Sequence, residues 1–348
     1  MLILSLNIII CTSLLLVINF VLSKSKFLID NPESAHHKYK HQEIIPLSGG
    51  IYFLLSTVII SFNNYEIKIL IYLVPFLLIG TLADTKKELS PKIRLIFQLL
   101  FFFILVNFNE IKISSVDFYY FDYLLENSFF NLIFVVFCLV TVLNGHNFMD
   151  GLNGFVIGNS ILILFSMYFV NLQLPSYTFN MSELGETLII IFFVFFLFNS
   201  FGKCFLGDNG IYINSILISL LVISFIENSK GLVSPLLAAV FLWYPAFENL
   251  FSILRRIKRK KAVYRSDKLH LHSLVNDYFT LKFKNKLEIK KINTISALII
   301  NICLLPNFLL GIIWYNSSTK LLILIFIQII LYIFIYNKIL VLKKYNYL

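Results

Sequence analysis

An all-α, polytopic transmembrane bundle of about eleven helices is the fold class this sequence predicts. Three observations carry it. Of the 348 residues, 58% are hydrophobic and only 14% charged, with a mean hydropathy of +0.83; a soluble domain of this size has no interior large enough for so many apolar side chains. The apolar residues gather in runs of roughly 16 to 24, long enough to cross a bilayer as helices. These runs do not alternate apolar with polar residues, as the strands of a membrane β-barrel would, so strands are excluded.

The expected spans are 2–22, 47–62, 67–83, 93–108, 129–143, 154–171, 186–201, 210–226, 232–252, 293–315 and 319–342. The first is too long for the apolar core of a signal peptide, lacks a basic leader and is followed by Lys24, so it is read as a helix of the mature chain. Cys11, Cys138, Cys204 and Cys303 form no CxxC pair and sit in or beside apolar runs, which suits small buried side chains and neither zinc nor a disulfide framework.

Charge position orients the bundle. The net charge is +10, which by itself fits nucleic-acid contact as well as basic membrane loops. Of the 29 Lys and Arg, 25 fall on one side of the predicted spans, including thirteen between Arg255 and Lys291. Lys68, Lys112, Lys230 and Lys320 alone fall on the other side. By the positive-inside rule the N-terminus lies outside and the C-terminus in the cytoplasm. Topology thus accounts for the surplus, and no nucleic-acid partner is expected. The chain reads as a single integral membrane domain, 1–348, in a bacterial inner (plasma) membrane, with membrane lipids as neighbours and inner loops near 24–46, 84–92, 144–153, 199–209 and 253–292. Oligomeric state stays open, a homodimer being one option.

Those five loops hold nearly all the clustered Asp, His, Asn and Gly residues. Taken singly, each has a plain structural reading, since Asn-Gly and Asp-Gly pairs are ordinary turn formers. Together they show a pattern. Asp84, Asp150 and Asp208 each lie where an inner loop meets a helix, so three carboxylates from separate helices can converge at the cytoplasmic boundary. Ionisable groups there are expensive unless paired or metal-bound, which makes them functional candidates. Carboxylates suit a hard cation such as Mg²⁺, with Mn²⁺ as an alternative, completed by phosphate oxygens. Lys38, Lys40, Lys203, Arg255 and Arg256 add the charge a diphosphate needs. His270 and His272 are two apart, unlike the i, i+4 zinc pair on a helix, and phosphate contact is the preferred reading. The residues alone therefore point to metal-assisted phosphoryl or phosphosugar chemistry at the inner membrane face.

The segments HKYKHQEIIPLSGG, GTLADTKKELSPKIRL, NGHNFMDGLNG, FLGDNG and RRIKRKKAVYRSDKLHLHSLV, from His37 to Val275, resemble in content and order the cytoplasmic loops of the polyprenyl-phosphate N-acetylhexosamine-1-phosphate transferases. The resemblance implies transfer of a sugar 1-phosphate from a UDP-N-acetylhexosamine to a polyprenyl (undecaprenyl) phosphate with release of UMP, initiating a lipid-linked surface glycan such as an O-antigen. It implies Asp208 as the principal Mg²⁺ ligand, Asp150 beside metal and nucleotide, Asp84 as the second acid of the family's Asp-Asp pair, Lys40 near the diphosphate and Asn147, Asn153 and Asn199 near the nucleoside. His270 and His272 match the family's histidine motif. Two positions depart from the pattern: Ala83 replaces the first acid of the pair, and Asn153 the last acid of DGxDG. A phosphate monoester has a second pKa near 6, so a lipid phosphate largely dianionic in the cytoplasm needs no base at position 83. The alternative reading is a catalytically degenerate relative that binds lipid carrier or nucleotide sugar without turnover.

Overall fold

The computed structural model describes residues 2–30, 44–60, 70–85, 89–175, 183–260 and 269–345. They form fourteen helices, six of them long and apolar enough to cross a membrane. In chain order these are α1 (Leu2–Ser25), α2 (Gly49–Ile60), α3 (Val74–Asp84), α4 (Pro91–Phe108), α5 (Tyr119–Leu125), α6 (Ser128–Met149), α7 (Phe155–Asn171), α8 (Glu183–Ser200), α9 (Gly207–Asn228), α10 (Leu236–Phe241), α11 (Trp243–Lys258), α12 (Leu271–Phe283), α13 (Ile289–Ile313) and α14 (Ser318–Tyr345).

The bundle is built around α9. This helix packs against α2, α3, α6 and α7 and is the most enclosed of the six long apolar helices, whereas α1 and α14 leave most of their residues exposed. Exposed Phe20, Ile96, Phe108 and Ile330 on outer helices fit a hydrocarbon surround, because lipid leaves apolar side chains no reason to turn inward. The inner contacts are close. At Gly80 of α3 a β-carbon would lie 2.4 Å from the Asn209 α-carbon, so only glycine lets α3 meet the start of α9. Small residues at helix contacts serve this purpose in membrane bundles.

Several elements depart from the expected outline. The single span 232–252 is broken at Leu242 into α10 and α11. Pro245, in the first turn of α11, has no N–H to continue the ladder of the preceding helix. After the break α10 stays beside α13 and α14, whereas α11 crosses to α6. A β-carbon at Gly145 of α6 would fall 2.0 Å from the Pro245 carbonyl oxygen, so the two backbones touch there. The expected third loop is largely helical, since α6 runs on to Met149, and the long inner loop contains the end of α11 and all of α12. Two short strands, β1 (Ile29–Asp30) and β2 (Ile45–Pro46), pair antiparallel, and Leu47 bridges Phe205 in parallel. The all-α expectation thus holds for the bundle but not for this small clasp beside α9. All four cysteines are free; Cys11 and Cys204 are buried as expected, but Cys303 is exposed on α13.

Candidate active site

Local sequence sets the frame. Ser90 caps α4 by accepting from the Ile93 N–H at 3.3 Å, with Pro91 at the first helical position, where a missing N–H is harmless. One turn on, Arg94 is half-buried and its Nη1 donates to Asp208 Oδ2 at 2.6 Å. Asn147, near the end of α6, donates from Nδ2 to Asp208 Oδ1 at 2.9 Å. Asp208 in the first turn of α9 is therefore held on both oxygens by two other helices.

Asp84 holds the same helix end from behind. Its Oδ1 accepts from the Asp208 N–H at 2.8 Å and its Oδ2 from the Asn209 N–H at 3.0 Å, with the Asn209 side-chain amide as a third donor at 2.5 Å. These N–H groups have no partner inside α9, and a carboxylate is favoured at the positive end of a helix. Asn209 in turn accepts from the Gly50 N–H at 2.7 Å and donates to the Leu47 carbonyl at 3.2 Å. Burial and the neighbouring Asp208 carboxylate push the Asp84 carboxyl up, and the three donors on its oxygens pull the other way.

A second cluster lies along α11. Glu248 is fully buried; its Oε1 sits 2.8 Å from His270 Nδ1, and its Oε2 accepts from the Tyr332 hydroxyl of α14 at 2.6 Å. Ser252 Oγ lies 3.2 Å from the same nitrogen of His270 and accepts from Arg255 at 3.1 Å. The His270 ring stacks on His272, with centroids 5.5 Å apart and planes 13° apart, and meets Phe148 at 4.9 Å. His272 in turn meets Phe155 at 5.6 Å with the rings tilted by 43°, and the Arg256 guanidinium lies over Phe148 at 5.3 Å. Burial pushes the His272 imidazole down to about 3, so it is neutral near pH 7.

The end of α6 joins the clusters: Asn147 meets Asp208 while the next residue, Phe148, meets His270. Asp150 follows as the C-cap of α6. The loop beyond it is fastened by α13, where Asn293 accepts from the Asn153 N–H at 2.8 Å and donates to the Gly151 carbonyl at 3.1 Å.

The structure thus brings Asp84, Asn147 and Asp208 together, with His270 and His272 beside them across Phe148. Asp150 and Asn153 lie on the connecting loop. Asn199 is buried elsewhere, its amide accepting from the Gly154 N–H at 2.7 Å and donating to the Cys204 carbonyl at 2.8 Å. Lys203 is exposed on the turn before α9. Arg255 is turned towards Tyr336 of α14, 3.4 Å from its hydroxyl. Lys40 lies outside the described residues. Sequence reasoning missed Arg94, Glu248 and Tyr332 as site residues, whereas Arg256, expected among the diphosphate-facing cations, lies over Phe148 beside His270. Glu248 had a legible signal, being the only acid in the expected span 232–252.

Among the described residues no three His, Cys, Asp or Glu side chains converge on one metal-sized point. Asp208 offers two carboxylate oxygens, which accept here from Arg94 and Asn147, and the His270 Nδ1 is engaged by Glu248. This set does not fit a closed zinc site, but it fits a hard cation that takes one or two carboxylates and completes its shell with phosphate oxygens and water.

The chain is similar in sequence to known proteins. Residues 67–226, from before α3 to the end of α9, match the family model described as glycosyl transferase family 4. The chain is 25% identical over 265 residues to a probable undecaprenyl-phosphate N-acetylglucosaminyl 1-phosphate transferase of Bacillus subtilis, covering 74% of this chain and 73% of that one. It is 25% identical over 254 residues to an undecaprenyl-phosphate alpha-N-acetylglucosaminyl 1-phosphate transferase of Thermotoga maritima, covering 72% and 74%. Identity reaches 32% over 234 residues with the phospho-N-acetylmuramoyl-pentapeptide-transferase of Staphylococcus aureus, covering 57% of this chain and 70% of the relative. With Asp84, Asn147 and Asp208 of the matched segment assembled at one helix end, these likenesses place the chain in glycosyl transferase family 4.

Proposed function

We propose that this multi-pass membrane protein transfers a sugar 1-phosphate from a UDP-N-acetylhexosamine to a polyprenyl phosphate, undecaprenyl phosphate in bacteria, and releases UMP. The observation that carries the reading is Asp208 held by Arg94 and Asn147 at the start of the most buried helix, next to a second cluster with cationic and imidazole groups. The names of the relatives support the same chemistry. The site faces the cytoplasm, and the product starts a lipid-linked surface glycan.

Asp208 and Asp150 would hold Mg²⁺, which when bound supplies positive charge to the diphosphate. Arg94, beside Asp208, and Arg256, beside Phe148, would neutralise further phosphate charge. A lipid phosphate oxygen attacks the sugar-linked phosphorus in line; the bond from that phosphorus to the bridging oxygen breaks, and UMP departs with the electron pair. No covalent enzyme intermediate is needed, so catalysis rests on positioning and charge stabilisation. Asn147 and Asn153 stand on either side of Asp150 to meet the nucleoside.

The test is UMP release by the purified protein with Mg²⁺, undecaprenyl phosphate and a panel of UDP-N-acetylhexosamines. Wild type should release UMP with at least one donor, and Asp208→Asn should abolish it. The second reading, a non-catalytic relative, is favoured by Ala83 in place of an acid. Lipid and nucleotide binding without UMP release from any donor would decide for it.

A further inference from the structure

Glu248 has no part in the chemistry above, yet it is the most completely buried acid beside the site. A carboxylate carried out of water costs several kcal/mol unless charge and hydrogen bonds compensate it. Here the compensation is specific: His270 Nδ1 on one oxygen at 2.8 Å and the Tyr332 hydroxyl on the other at 2.6 Å. A carboxylate only accepts, so the nitrogen facing it carries the proton. The ring is flanked by Phe148 and His272, and Nδ1 is engaged by Glu248 and Ser252. Nε2 is the polar edge these contacts leave for a ligand.

We infer that Glu248 is a positioning residue: it fixes the His270 ring plane and holds a proton on Nδ1, so that Nε2, protonated when the ligand is bound, donates to a phosphate oxygen of the nucleotide-sugar diphosphate, with Tyr332 fixing Glu248 in turn. The inference rests on the diphosphate reading of the site. When His270 donates through both nitrogens, the Glu248 carboxylate balances the ring's positive charge inside the protein. Carboxylates orient ligating histidines in the same way in metal sites, where the partner on one nitrogen determines what the other does. Neither sequence distance nor hydropathy suggests the pairing, because Glu248 lies in an apolar stretch and His270 in a charged one.

Two measurements test this. The first uses ¹⁵N-histidine NMR of the full-length protein in nanodiscs, with the His270 signal assigned by its loss in His270→Asn; it needs no turnover. Wild type should show a protonated Nδ1, Glu248→Leu should lose that signature, and Glu248→Gln, whose amide oxygen still accepts, should keep it. The second measures UMP release. Glu248→Leu should lower kcat/KM at least 30-fold in the wild-type background and less than 3-fold in His270→Asn, because it acts through that ring; Glu248→Gln should recover most of the loss. Tyr332→Phe offers a milder version should Glu248→Leu fail to fold, with a loss that again disappears in His270→Asn. A wild-type ring protonated at Nε2 alone, or equal losses in both backgrounds, overturns the inference. Absence of UMP release by wild type would instead overturn the proposed function and leave the tautomer measurement to decide on Glu248.

Discussion

Asp84 and His272 show how a residue's setting redefines what its type suggests. Asp84 reads in sequence as a catalytic acid, but in the structure its carboxylate accepts the first N–H groups of α9 and so holds Asp208 in place. Replacing it with alanine strands those donors and should destabilise the protein by about 1–3 kcal/mol. Asp84→Asn, which keeps one acceptor, should lose less; melting in detergent checks the order, and equal melting of all three proteins would refute it. His272 is neutral because burial lowers its proton affinity, to a pKa of about 3, whereas in the unfolded chain it titrates near 6.5. The unfolded state then binds more protons between those values, so this residue makes stability fall as pH drops below about 6.5. The loss should reach about 2 kcal/mol at pH 5. His272→Asn should therefore show a smaller drop in Tm from pH 7.5 to pH 5 than wild type, and parallel drops would show that the ring is not buried neutral.

At the scale of elements, the crossing of α6 and α11 matters most. Gly145 lets the Pro245 carbonyl approach to a distance no β-carbon tolerates, and this contact brings Glu248 and Arg256 of α11 alongside Asn147 and Phe148 of α6. Gly145→Ala should force the helices apart, destabilising by about 3 kcal/mol and lowering UMP release together with Tm. A variant with wild-type Tm and activity would mean that the crossing is not close. The break at Leu242 belongs to the same device. Hydropathy runs through 232–252 without interruption, so it suggests one span; the change of direction follows from Pro245 and from α6 accepting the second half. α12 was hidden for the opposite reason, because its many polar residues resemble a loop until Leu271 and Leu274 are seen buried against the bundle.

For the whole molecule, the charge distribution sets the expected orientation. A cysteine introduced at exposed Lys230 should react with a membrane-impermeant maleimide from outside intact cells, and one at exposed Lys258 only after lysis, in a background where exposed Cys303 is serine. Labelling of both from outside would invert the topology and remove the site from the cytoplasm. The sequence by itself determined the membrane class, most helix positions and the segments that carry the acids and histidines, because hydropathy and motif spacing are properties of neighbours along the chain. The tertiary structure alone decided that Asp84 anchors a helix rather than facing solvent, that Asn199 serves the backbone, that Arg94 pairs with Asp208 and that Glu248 stands behind His270. Each of these depends on groups brought together by helix packing from separate parts of the chain, as Asp84 and Asp208 are across 124 residues, and a buried charge takes its role from whichever partner that packing supplies.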